Sequence, residues 1–456
     1  MNKPRFMALA VLVLFVSTSL PIHAQTTADP ELLAEIYKIK AIDNHAHPPR
    51  VVREGETDDE WDALPLDALE ITSVYSLPTR LRPDNPEYIG AWKALFGYKY
   101  SDMNAQHVRE LVEAKHRVMR DKGDAYPAWV LDQLGIETMF ANRVAMGRGL
   151  TPSRFRWVSF VDALLFPLNT TAIRQEHPKY VKLYDGEERL LKRYLTESKL
   201  NSVPSDLNTY LSKVISATLE RHKQNGAIAI KFEAAYLRPL DFSDVGKSEA
   251  TRIYLRHVRR VAPSAGDYKK LQDFLFRYIA REAGRLGLAV HIHIVAGAGG
   301  QYELSGSNPL LLEPVFNDLS LTKTNFVIVH GGWPYTKEVG FLLNKPNVYA
   351  DFSAQTFMLS PRKLSEVLRD WLELYPEHVL FGTDTFPGTP EIGWEEVGWL
   401  TSNTARQALA LALTGMMNDG LITRERAREL ARLVLHENAI RLYNFGPSSV
   451  STGLQD

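Results

Sequence analysis

The 456-residue sequence contains no cysteine. Disulfides, thiolate metal sites, cysteine nucleophiles and an acylated lipobox are therefore excluded, and the core alone must hold the fold. Neither sign of charge is in excess, with 53 lysines and arginines against 54 aspartates and glutamates. Without a basic surplus the chain cannot neutralise many phosphates, so general nucleic-acid binding is excluded and a small-molecule ligand is expected instead. The G-x-x-x-x-G-K-[ST] phosphate loop and the G-x-S-x-G nucleophile turn are also missing, which argues against nucleotide-dependent and serine-hydrolase chemistry. No internal repeat or low-complexity tract occurs.

Long apolar runs are scarce too. The one present, Met7 to Leu20, follows Lys3 and Arg5 and precedes Pro21-Ile22-His23-Ala24. A basic start, an apolar stretch and a small residue at the cut predict a secretory signal over residues 1–24. The run is shorter than the roughly 20 apolar residues that span a bilayer, so no stable membrane insertion is expected after cleavage. Export of this chain points to a bacterial periplasm. The sequence leaves oligomeric state open.

What is present is an ordinary globular composition, 45% hydrophobic and 23% charged. Short apolar strands alternate with helical stretches, the pattern of a parallel barrel or doubly wound sheet. The expected strands are Ile39–Asp43, Gly135–Ala141, Phe155–Val161, Ala227–Phe232, Leu288–Ile294, Phe326–Val329, Val348–Phe352 and Val379–Gly382. Tyr268–Leu286 carries a buried stripe at helical spacing, and Arg424–Leu435 and Asn438–Tyr443 close the chain. Eight strands fit a (β/α)8 barrel, which needs about 250 residues. The surplus falls in two insertions, about 48–130 and 164–225, expected to be irregular and to cover the mouth of the barrel. One domain over 25–446 and a polar tail over 447–456 complete the plan.

Chemistry concentrates at strand ends. His45 and His47 stand two apart after the first strand and His291 and His293 two apart on the fifth, spacings that let each pair face one cation. Two such pairs exceed what chance placement of 13 histidines gives. Lys231 interrupts an apolar run at the end of the fourth strand, His330 ends the sixth, and Asp384 follows the eighth. All lie at the face where barrels keep their active sites.

Together, Asp43-Asn44-His45-Ala46-His47, Leu134-Gly135-Ile136, His330-Gly331-Gly332-Trp333-Pro334-Tyr335, Gly382-Thr383-Asp384 and His436 to Tyr443 resemble the amidohydrolase superfamily of metal-dependent hydrolases, in its amidohydrolase-related branch. The resemblance runs from Ala41 to about Tyr443. It implies that His45, His47, His293, His330 and Asp384 ligate metal, with His291 as a supporting donor. It also implies that Lys231, as a carbamate, bridges two ions in a binuclear centre; the alternative is a plain ion pair with Glu233. The last helix would pack under the barrel.

Imidazole and carboxylate donors suit zinc first, with manganese, iron or nickel as alternatives. Water activated by such an ion would attack an amide, lactam, ester or lactone carbonyl, with Asp384 moving the proton and the ion or a histidine such as His330 polarising the carbonyl. Arg143, Tyr236, Arg238, Trp333 and Ser353 follow strands and are candidate substrate contacts, the two arginines as a carboxylate clamp. The rival readings are a mononuclear decarboxylase or hydratase of the same superfamily, and a barrel that binds without turnover.

Overall fold

The computed structural model describes residues 27–53, 55–64, 77–294 and 303–445. The expected signal and the polar tail lie outside the described residues. Eight parallel strands follow one another in chain order around a (β/α)8 barrel: β1 (Ala41–Ala46), β2 (Ile136–Arg143), β3 (Phe155–Phe160), β4 (Ala227–Phe232), β5 (Ala289–His293), β6 (Phe326–Val329), β7 (Val348–Asp351) and β8 (Val379–Leu380). The barrel closes through Asn44 N to Phe381 O (2.8 Å), Asp384 N to His45 O (2.7 Å) and His47 N to Thr385 O (2.7 Å).

The strands lie where the apolar runs predict them, though β2 runs on to Arg143, β8 stops at Leu380 and β1 is shifted. β1 starts later than expected and runs on through His45, because its backbone is engaged by β2 on one side and by the segment after β8 on the other. Its pairing with β2 is irregular between Asp43 and Ala46. Such an irregularity re-aims side chains, and here it sends Asn44 to Asp351 while His45 and His47 both reach Asp384.

The barrel interior is layered. Ile42, Phe140, Val158, Ala229, Ala289, Val327 and Leu380 form an apolar floor, with Tyr349 packed against it. Every strand contributes one residue, as inward-facing positions of a closed barrel must. The helix Asn438–Tyr443 plugs this floor from below with Ala439 and Leu442. Two residues further along β4 and β5 the interior turns polar, at Lys231 and His291, because strand side chains alternate with period two.

The insertions are not irregular. The first contains helices Glu87–Phe96, Ala105–Lys122 and Tyr126–Leu134, and the second contains Val181–Glu197 and the helical run Leu207–Gln224. Ala105–Lys122 buries only Leu111 and Lys115, too narrow a stripe to give a clear helical period in sequence.

Candidate metal centre

The polar layer at the C-terminal end of the barrel gathers the strand-end residues. His45 Nε2 lies 3.1 Å from Asp384 Oδ1 and His47 Nε2 lies 3.7 Å from the same oxygen. His330 Nδ1 is 3.7 Å from Asp384 Oδ2, and His330 Nε2 is 3.1 Å from His293 Nδ1. Lys231 Nζ approaches His45 Nε2 to 3.5 Å and Glu233 Oε1 to 3.9 Å. The structure thus brings together all six residues expected to be ligands, from β1, β4, β5, β6 and the segment after β8.

Backbone shape is part of this placement. His330 and Asp384 both have positive φ, 62° and 58°, a region non-glycine residues seldom occupy. The chain turns sharply after each, which leaves the imidazole and the carboxylate pointing back into the barrel. Gly331 continues the turn with φ of 53°, and a Cβ there would meet Trp371 at 2.3 Å and Gln355 Nε2 at 2.5 Å. Gly382 serves by lack of bulk, since a Cβ would sit 2.9 Å from that of Ser353.

The electrostatics suit a cation. Burial, reinforced by Lys231 and neighbouring imidazoles, drives His45 and His330 far below the usual histidine range, and burial with His330 does the same to His293. His47 falls to about 3, again chiefly by burial. These imidazoles are neutral and keep a lone pair for coordination. Asp384 is driven the other way by burial, well above the carboxylate range, and its ionised form returns when positive charge sits beside it. His45, His330 and Asp384 each offer a donor atom within 4.8 Å of the others, the separation that one ion can bridge. His45 Nδ1, buried, meets no hydrogen-bond partner among the described residues. The donor set therefore fits a divalent metal.

Residues beneath the ligands hold them, and most carry no obvious sequence signal. Asp351 accepts hydrogen bonds from His330 N (3.1 Å), Ser353 N (3.0 Å), the Ser353 hydroxyl and Asn44 Nδ2 (2.8 Å). Ser353 Oγ, oriented by Asp351, accepts from His330 Nδ1 at 2.9 Å and so fixes the ring's tautomer. Asp43, pushed up to about 7 by burial, binds Thr383 N (2.9 Å) and Oγ1 (2.6 Å) and sets the turn before Asp384. A carboxylate two residues before a strand-end histidine is the signal that could have marked Asp43.

Several expected substrate contacts are otherwise engaged. Arg143 is fully buried and holds Asp58 through both terminal nitrogens (2.8 and 2.7 Å) and Pro48 O (2.8 Å). Arg238 is bound to Asp273 at 2.6 Å and lies over the Phe242 ring. Two guanidinium groups already saturated by protein carboxylates do not form a clamp. His291 Nε2 bonds the Tyr443 hydroxyl at 2.6 Å, which in turn donates to Asn44 at 2.5 Å, so this histidine ties the site to the floor helix. Ser353 positions His330, as above. Trp333 is half-buried beyond Gly332. Tyr236 stays in play: its ring lies 4.6 Å from that of His293, and it lines a cavity of about 250 Å³ together with Phe166, Tyr184 and Arg238.

An eight-stranded barrel with histidines, a lysine and an aspartate converging at its C-terminal end defines a metal-dependent enzyme of the amidohydrolase class. The amidohydrolase family model matches residues 213–445, which carry Lys231, His293, His330 and Asp384, and the chain belongs to that family. It is similar to protein fluG of Emericella nidulans, 27% identical over 241 residues, covering 50% of this chain but only 27% of that longer protein. Among solved structures it resembles a Lactobacillus casei protein titled a metal-dependent hydrolase (15% identity, TM-score 0.59, 92% of this chain and 98% of that one). It also resembles a uronate isomerase from Thermotoga maritima (13% identity, TM-score 0.61, 91% and 96%). Identities this low speak to the shared fold.

Proposed function

We propose that the protein hydrolyses a C–N or C–O bond at the carbonyl of a small molecule, an amide, lactam, ester or lactone. The observation that carries this reading is the convergence on Asp384 of His45, His47 and His330, with His293 and Lys231 beside them. A divalent ion held by this set supplies Lewis acidity and lowers the pKa of water toward about 7. Asp384 takes the proton of the attacking water at a carboxylate oxygen and returns it to the leaving nitrogen or oxygen. Ser353 and Asp351 hold the His330 ring with its proton on Nδ1, which keeps the Nε2 lone pair free for the ion. Tyr236 packs on His293 and walls the neighbouring cavity. Lys231, 3.5 Å from His45 Nε2, would hold a second ion if it carried CO2 as a carbamate.

Two measurements test this. Asp384→Asn should lower turnover of a responsive amide or ester by ~10²–10⁴-fold; unchanged turnover would end the hydrolytic assignment. Metal content should be two ions per chain in the parent and one or none in Lys231→Ala, whereas one ion in both removes the bridge and favours the decarboxylase. The export reading is checked by the N-terminus of the mature protein, expected just after Ala24.

A further inference from the structure

Beside the ligand set lies a second group of side chains that hydrolysis does not use. Asp62 belongs to the first insertion, Asp162 to the turn after β3, Glu187 to the helix Val181–Glu197 and Glu233 to the turn after β4. Their exposures are 8%, 1%, 1% and 2%. The group touches the metal ligands at two points, Asp62 Oδ2 to His47 Nδ1 at 3.6 Å and Glu233 Oε1 to Lys231 Nζ at 3.9 Å. Glu187 faces the other three, and the mutual repulsion adds to burial in pushing its carboxyl well above the usual range.

Four buried carboxyl groups here meet a single lysine; among the described residues no other lysine or arginine is in ion-pair contact with them. Acceptors exceed donors as well, even with the hydrogen bond that Asp62 and Glu233 share. Neither oxygen of Glu187 has a hydrogen-bond partner, nor do Asp162 Oδ1 and Glu233 Oε2. Unpaired acceptors this deep are costly, and such groups belong to sites that complete themselves with a ligand. A metal ion is a poor completion. Among the described residues, only His45, His330 and Asp384 bring three donor atoms within 4.8 Å of one another, and these carboxylates form no such set. Acceptors brought together from four elements match instead a cation with several diverging N–H donors, as in a guanidinium or a primary ammonium group.

We propose that Asp62, Asp162, Glu187 and Glu233 form a subsite for an organic cation, so that the substrate is a carbonyl compound bearing a guanidinium or amino group. Its direction, cation toward Glu187 and carbonyl toward Asp384, rests on the hydrolytic reading; the existence of the subsite does not.

The test is calorimetric titration of the metal-loaded protein with butylguanidine and with butylurea, which match in shape and differ in charge. The parent should bind the cation at least ~10-fold more tightly than the urea, the scale of a buried charge pair. Glu187→Gln should reduce that preference to within about threefold while leaving metal content unchanged, with Asp162→Asn as the second variant should the first not fold. Equal affinities in the parent, or a preference untouched by both variants, would overturn the proposal. So would uptake of an extra equivalent of calcium or zinc that Glu187→Gln abolishes, since the cluster would then be a metal site. Guanidinium preference persisting in a protein that hydrolyses no carbonyl compound would remove the hydrolytic reading and leave the subsite standing.

Discussion

Each insertion meets the barrel at a buried cluster of charge, and the two clusters are built on opposite plans. In the first, Lys115 of the helix Ala105–Lys122 donates to Glu396 at 2.8 Å, Tyr126 donates to Glu395 at 2.5 Å, and Gly393 N donates to Glu396 at 2.8 Å. Donors from three elements meet two carboxyl groups at the start of the helix Trp394–Asn418, where the helix dipole also favours negative charge. In the second, Glu187 of the helix Val181–Glu197 is delivered into a field of like charge and finds no donor. Burial is comparable, since Lys115 and Glu396 are 4% and 0% exposed. The difference lies in the donors: the first cluster supplies them, although Glu396 Oε1 stays unpartnered, whereas Glu187 meets none. A matched cluster fixes an insertion in place; an unmatched one beside the candidate metal ligands is what the proposed cation subsite would complete.

Breaking the matched cluster should have the largest effect on stability. Lys115→Met keeps the length of the side chain but strands two buried carboxyl groups, which should cost ~3–5 kcal/mol in denaturant unfolding. The cost should depend on pH with a definite sign. Burial already lifts Glu396 to about 7 despite Lys115, and losing the lysine raises it further. A carboxyl raised above its unfolded value opposes folding increasingly as pH climbs from that value to the folded one. The deficit should therefore be smaller at pH 5 than at pH 8. An equal deficit at both would mean that Lys115 acts by packing over Phe96, whose ring centroid its Nζ approaches to 5.3 Å. Tyr126→Phe removes one donor to a charged acceptor and should cost less, ~1.5–3 kcal/mol by the same measurement.

The same contrast explains what could be read from sequence. The strands and the convergence of the candidate ligands were legible because apolar runs end in polar residues, and a barrel sends those ends to one face. His45, Lys231, His293, His330 and Asp384 needed no knowledge of loops. The two arginines did: Arg143 ends β2, where a substrate contact would stand, but its partner Asp58 is 85 residues earlier in an insertion without readable period. His291 was placed on the correct strand, while its bond to Tyr443 spans 152 residues. Glu187 had a signal that went unused. Leu183, Tyr184, Leu190, Leu191 and Tyr194 mark the buried stripe of their helix, and Glu187 falls in phase with them. A glutamate on an apolar stripe is either neutral or paired, and the Glu187-Glu188 doublet disguises it as part of a solvated face.

The unmatched cluster gives the smallest and most diagnostic effect. In the absence of ligand, Glu187→Gln removes one member of a mutually repelling set and supplies an amide N–H₂ to neighbours short of donors. It should stabilise the protein. Glu187 is raised in the folded state by burial and by Asp162, Glu233 and Asp62, so its opposition to folding is absent below the unfolded carboxyl pKa of about 4.3 and grows above it. The variant's gain should thus be near zero at pH 4 and increase toward pH 7, by no more than ~1.4 kcal/mol per pH unit. Stability raised by the substitution that abolishes the guanidinium preference would mean that the folded chain carries this glutamate at a cost for the sake of its ligand, as functional sites commonly do. A loss of stability at every pH would instead place a donor on Glu187, and the two clusters would then differ in location but not in kind.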